Sequence, residues 1–308
     1  MSNPNNLDGT ADSATRGRPV AITHDAMAAF ALAQRALRRA RRAQTAMCGT
    51  LFLLAVVGSL WVSEVSLSKV VEGFPGLVAY VVGTLPVIRP ESVSADMAEW
   101  YWGLGRWLTL LLDTLVIAFM GTLLGATSAV VLSFPAARNL APNTWVYSLC
   151  RRCLEIARTV PELVYALMFV YAFGLGPLPG VLAIAVHSLG SLGKLFSEVV
   201  ENIDEGSLEG VRAAGANWWQ IVRYAVLPQV LPNFASYTLL RFEINVRASS
   251  VVGFVGAGGI GQELYTVIRQ FIYVDISAIV LLLIVTVAVL DITCEQLRHR
   301  LLGAQALP

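Results

Sequence analysis

The chain has 308 residues, is 56% apolar and only 14% charged, and carries a formal net charge of +1, with a mean hydropathy of +0.64. A soluble domain of this length would be about a quarter charged. The composition therefore excludes a soluble globular domain and indicates a membrane protein, for which lipid and not nucleic acid is the expected surrounding.

Residues 1–45 read as a cytoplasmic tail. MSNPNNLDGTADSATRGRPV is polar and reads as disordered. Ala26 to Arg42 then reads as a helix ending in RALRRARR, either a topology signal or a basic collar on anionic lipid head groups. No cleaved leader is expected, since the first apolar run starts far from Met1 and has the length of a span. That run, Ala43 to Ser63, has 21 uncharged positions and predicts a transmembrane helix over 46–66. Residues 67–106 read as a periplasmic, interfacial segment. Gly73 to Ile88 offers only 16 uncharged positions and contains Pro75 and Pro86, which is short for a span. Trp100, Tyr101, Trp102 and Trp107 suit an interfacial belt.

Residues 107–297 read as the core, with five further helices at 107–133, 158–174, 180–200, 229–252 and 274–296. Thr114 to Ala137 is a run of 24 uncharged positions. Leu163 to Gly193 is one of 31, broken by GLGPLPG at Gly174 to Gly180, so it reads as two spans bent there. Crossing the hydrocarbon takes ~20 apolar residues per helix. Helices are required because backbone in lipid must satisfy its own hydrogen bonds, and no alternating barrel pattern is present. The fold class is thus an all-α membrane protein with six transmembrane helices. Gly121, Gly125, Gly190 and Gly193 would let helices approach closely. Cys150-Arg151-Arg152-Cys153 lacks a thioredoxin-like setting and a second pair for zinc, so it reads as chance. With both ends inside, including the tail 298–308, fifteen of the 22 Lys and Arg are cytoplasmic and four are outside, as the positive-inside rule asks.

The segment 205–228 is a polar, helix-forming loop carrying EGVRAAGANWWQIVRYAVLP from Glu209. Ser207 can cap a short helix with Glu209 in its first turn. Gly215 permits a turn. Asn217 and Gln220 have capping-box spacing. Pro228 and Pro232 predict that the second helix stops near Leu227. Two short helices in an L, joined to the next span, can transmit a push.

Glu209, Gly215 and Leu227-Pro228 resemble the EAA loop of ABC-importer permeases, although Gly210 and Val211 replace the paired alanines and Ala225 the isoleucine. RTVPELVYALMFVYAFGLGPLPGVLAIAVHSLGSLGKLFSEVVENID at Arg158 to Asp204 and LLRFEINVRASSVVGFVGAGGIG at Leu239 to Gly261 resemble permeases of phosphonate importers. That resemblance covers roughly Arg106 to Glu295. It implies a type I ABC-importer permease fold with cytoplasmic coupling helices, in a bacterial inner membrane with both termini cytoplasmic. It implies a homodimer, two cytoplasmic ATPase subunits and an external phosphonate-binding protein. It also implies no cofactor on this chain, ATP and Mg being used by the ATPase. Glu209, Ala213, Ala214, Gly215, Leu227 and Pro228 are then the residues expected to couple to the ATPase.

Gly256, Gly258, Gly259 and Gly261 satisfy a dinucleotide-loop pattern, but the segment lies between two predicted spans and in no soluble βαβ unit. A tight reversal or periplasmic gate between the fifth and sixth helices is expected instead. Inside the spans, His187, Ser191, Lys194 and Glu198 fall on one helical face; Glu243 and Arg247 are four apart, and Arg241 and Asn245 share another face. Charges at this depth face a bundle interior or a wet cavity. Two readings stand: a translocation path in which Arg241 or Arg247 offsets an anion, or structural pairing of Lys194 with Glu198 and Glu243 with Arg247. Arg241 has no obvious partner. No Walker A, HExxH or nucleophile-elbow pattern occurs, so a transport subunit is expected and not an enzyme. Phosphite, a phosphate ester or another small solute is the alternative cargo, and a proton-coupled carrier using His187, Lys194 and Glu198 the alternative class.

Overall fold

A backbone that must satisfy its own hydrogen bonds folds into helices over most of the described residues. A computed structural model describes residues 24–63 and 66–303, and among them no strand occurs. The polar segment 1–23, with Arg16 and Arg18, and the last five residues lie outside the described part.

The chain divides after Leu77 into two compact units. In the first, α1 (His24–Val62) is one helix of 39 residues, about 58 Å long. The basic stretch and the span predicted over 46–66 are therefore a single element. Nothing between Arg42 and Val62 breaks it: the run has no proline and only two glycines, Gly49 and Gly58. α2 (Leu67–Thr84) follows, with Pro75 inside.

The second unit holds the core. α3 (Val93–Trp100) leads into α4 (Leu104–Ser133), and α5 (Thr144–Thr159) into α6 (Glu162–Phe173). Next come α7 (Pro177–Glu201), α8 (Glu205–Ala213) and α9 (Trp218–Ile221). A π-turn (Val222–Val226) joins α9 to α10 (Leu227–Val252), and a 3-10 turn (Gly253–Val255), α11 (Ile260–Arg269) and α12 (Tyr273–Gly303) complete the order. Among the described residues, four helices are long and apolar enough to cross a membrane, and the count reaches six if two bent pairs each form one span.

Two sequence expectations need correction. The helix predicted over 158–174 starts only at Glu162: residues 158 and 159 end α5, an element without a counterpart among the predicted helices, which meets α6 at 87°. Pro161 forces Val160 into an extended conformation (φ −77°, ψ 125°), as a residue preceding proline prefers. The helix predicted to stop near Leu227 does not stop. Pro228 sits in the first turn of α10 and Pro232 inside it. The wide turn before them, with the Leu227 N–H donating to the Val222 carbonyl, takes up the missing hydrogen bond and ring bulk that would otherwise break the helix.

Close approach fixes the packing of α7. A Cβ on Gly125 would lie 2.7 Å from Ser188 Cβ, and one on Gly190 only 2.4 Å from the Arg158 backbone nitrogen. Small residues at crossings are how helices associate where lipid supplies little hydrophobic drive. At one end, Phe196 stacks on Phe234 with ring centroids 4.0 Å apart, inside a cluster that also takes Leu208 of α8 and Ile221 of α9.

Candidate functional site

The loop after α7 is built from local signals that close on one another. Asp204 caps α8: its Oδ2 accepts from the Ser207 N–H and hydroxyl, both at 3.2 Å. Ser207 is thus the donor and not the cap, and Glu209 stands in the second turn. The Ser207 amide also holds the Asp204 carboxyl below its usual range. α8 ends in a Schellman turn. Gly215 at φ +80° donates to the Arg212 carbonyl at 2.9 Å, and Ala216 donates to Val211 at 3.4 Å. The capping box that starts α9 is present, with Gln220 N–H to Asn217 Oδ1 at 3.0 Å and Asn217 N–H to Gln220 Oε1 at 2.8 Å.

Long-range bonds then clasp this elbow. Arg212 Nη2 donates to the Asn139 carbonyl and Trp218 Nε1 to the Leu140 carbonyl, each at 2.8 Å. Glu201 accepts from the Arg138 N–H and from Arg151 Nη1, each at 2.9 Å. Leu208 on the inner face is 2% exposed. Glu209, Ala213, Ala214, Gly215 and Pro228 are exposed on the other side, with Leu227 half-buried.

Within the spans, four elements bring polar groups to one place. Arg241 and Asn245 of α10 share a face, and both reach Ser188 of α7, Arg241 Nε at 3.2 Å and Asn245 Nδ2 at 2.8 Å. Asn245 Nδ2 also donates to Thr122 Oγ1 of α4 at 2.8 Å. Arg241 does have a charge partner, which corrects the expectation: Glu162 Oε2, at the start of α6, lies 3.6 Å from its Nη2. His187 Nε2 lies 4.0 Å from the same oxygen. The His187 Nδ1 is 3.0 Å from the Val160 carbonyl, which can only accept, so Nδ1 carries the hydrogen. A cavity of about 550 Å³ is lined by Glu162, His187, Ile244, Arg247 and Val251.

Of the other candidates, Arg247 lines that cavity, and the rest lie apart from this cluster. Glu243 accepts from Arg247 at 2.8 Å, and Arg247 reaches Asp291 of α12 at 3.0 Å. Lys194 and Glu198 pair at 3.7 Å toward the end of α7, where Glu198 also faces Arg151 at 3.9 Å. Beside them Arg158, Ser191 and Lys194 line a cavity of about 300 Å³. In the glycine loop, Gly256, Gly258 and Gly259 have φ of 87°, 82° and 76°. The Gly176 N–H donates to the Gly256 carbonyl at 3.0 Å, and Thr114 Oγ1 accepts from the Ile260 N–H at 2.8 Å. A Cβ at Gly261 would fall on the Ser250 carbonyl. The loop is a packed reversal that returns the chain into α11.

Helices long and apolar enough to cross a bilayer, an elbow clasped at one end and a charged cluster among those helices suit a membrane transport subunit. Residues 121–301 match the family of binding-protein-dependent transport system inner membrane components, and the chain belongs to that family, the permeases of ABC importers. It is 42% identical over 68% of its length to the phosphite transport system permease protein PtxC of Stutzerimonas stutzeri, covering 74% of that protein. A protein of Escherichia coli K12 named for a cryptic phosphonate transport system is 51% identical over 38% of this chain and 97% of its own. The fold is similar to the permease in inward-facing structures of the MetNI methionine ABC transporter, with a TM-score of 0.56 and 22% identity over 63% of this chain and 95% of that one. The chain is accordingly a multi-pass inner-membrane subunit without its own enzymatic activity. A separate ATPase, a substrate-binding protein and a second permease complete such an importer.

Proposed function

We propose that this permease imports small phosphorus oxyanions, with phosphonates as the first cargo, working as a homodimer with both termini in the cytoplasm. An external phosphonate-binding protein delivers the anion, and the ATPase pair, using ATP and Mg, pushes on the α8–α9 elbow through Glu209, Ala213, Ala214 and Gly215. No cofactor is held by this chain. Leu227 and Pro228 carry the push into α10, and the glycine loop Gly256 to Gly261 closes the outer side. The observation that carries the reading is the cluster of Arg241, Asn245, His187 and Glu162 at membrane depth beside a cavity of about 550 Å³. A cationic group in a polar niche offsets an anion's charge where water is scarce. Lys194 and Glu198 extend the same face toward the cytoplasm, while Glu243 and Arg247 hold α10 to α12.

Phosphite is the second reading, favoured by the 42% identity to a phosphite permease. Cells lacking their own phosphorus-oxyanion uptake, supplied with this chain and its ATPase and binding protein, should accumulate radiolabelled methylphosphonate ahead of phosphite and phosphate. Uptake of none of the three would remove the proposal; uptake of phosphite alone would replace phosphonate by phosphite.

A further inference from the structure

We propose that Glu162 is the resident counterion of the path: it neutralises Arg241 while the path is empty and yields it to the oxyanion in passage. The inference rests on the oxyanion reading above and adds the residue that exchanges with the cargo. Arg241 is 12% exposed at the side chain and lies in a span, where an uncompensated charge costs several kcal/mol. It needs an anion at rest, and Glu162 supplies one from another helix. The fit between them is loose. Glu162 Oε2 stands 3.6 Å from Arg241 Nη2 and 4.0 Å from His187 Nε2, beyond hydrogen-bonding distance.

The consequence is visible in the inventory of polar atoms. Arg241 Nη2 and Asn245 Oδ1 are both buried without a hydrogen-bond partner among the described residues. One is a donor and the other an acceptor, and both side chains reach the same Ser188 hydroxyl, so the two unmet atoms share a neighbourhood. A phosphorus oxyanion offers what the guanidinium lacks, P–O⁻ oxygens that accept at hydrogen-bond length where the Glu162 carboxylate stands off, while Asn245, fully buried, holds Ser188 beside it. Glu162 is 27% exposed and lines the adjoining cavity, so it is the partner able to swing aside.

The test uses the purified permease–ATPase complex without binding protein, with radiolabelled inorganic phosphate and phosphite as probes in equilibrium dialysis. Glu162→Gln should bind phosphite about tenfold more tightly than wild type, the effect of removing a competing close charge. Glu162→Gln combined with Arg241→Gln should bind none. Binding by Glu162→Gln equal to or weaker than wild type overturns the proposal. A second readout needs no variant. Infrared difference spectra of wild-type complex carrying ¹³C-carboxyl glutamate should show a glutamate carboxylate band shift when phosphite is added, and an unchanged band also overturns it. Wild-type uptake separates the two levels. Without uptake of any phosphorus oxyanion the functional reading falls and this one with it; with uptake but neither effect, only the role of Glu162 falls.

Discussion

Arg241 is the residue on which the chemistry turns. Its neighbour on the helical face, Asn245, was legible from a spacing of four residues. Its counterion was not, because Glu162 arrives from a helix whose start is set by a bend at Pro161, and tertiary proximity leaves no periodic trace. Arg241→Ala should lower uptake by roughly tenfold or more, the loss expected when a charge-assisted contact to an anion is removed, while the permease dimer still elutes intact from size exclusion. Undiminished uptake would take Arg241 out of the path. Asp204 shows the same limit at the surface. Its carboxyl is held below the ordinary range by the Ser207 amide, so the folded value lies beneath the unfolded one. The cap's contribution is complete above the ordinary carboxylate range and is lost only as pH falls through the lowered value. At neutral pH, Asp204→Ala should therefore speed hydrogen exchange of the first-turn amides of α8. Unchanged exchange would contradict the cap. Ser207 has the better cap position by pattern alone, and only the geometry assigns the role to Asp204.

At the scale of the element, the elbow of α8 and α9 was readable in part. The capping box at Asn217 and the turn at Gly215 follow from residue type and spacing. Trp218 and Arg212 bonding to the carbonyls of Leu140 and Asn139 does not, since backbone acceptors on a distant loop have no side-chain signature. The stop expected at Pro228 failed because a π-turn widened the helix just ahead of the ring, and such turns have no reliable sequence mark. Leu208 tests whether the elbow is stiff. It is 2% exposed against Phe196, Ile221 and Val226, so Leu208→Ala should cost about 2–4 kcal/mol of local stability. ATP hydrolysis should then continue with reduced uptake per ATP. A variant with an unchanged ratio of uptake to hydrolysis would mean that the elbow needs no such anchor.

For the whole molecule, the long uncharged runs announced a helical membrane protein, because hydrocarbon thickness translates directly into run length. The runs do not report bends. Two of the six candidate spans are pairs of helices meeting at 87° and 48°, and only Pro161 and the glycine loop hinted at either. In this family a separate ATPase supplies the energy, so uptake should persist when the proton gradient is collapsed and cease when the ATPase is inactivated. The central claim is that the elbow is where the ATPase grips the permease. The most direct measurement is a cross-link from Ala213→Cys to a single cysteine on the ATPase in membranes holding both subunits. A permease–ATPase product of the combined mass is predicted. No such product from assembled, transport-competent membranes would contradict the account.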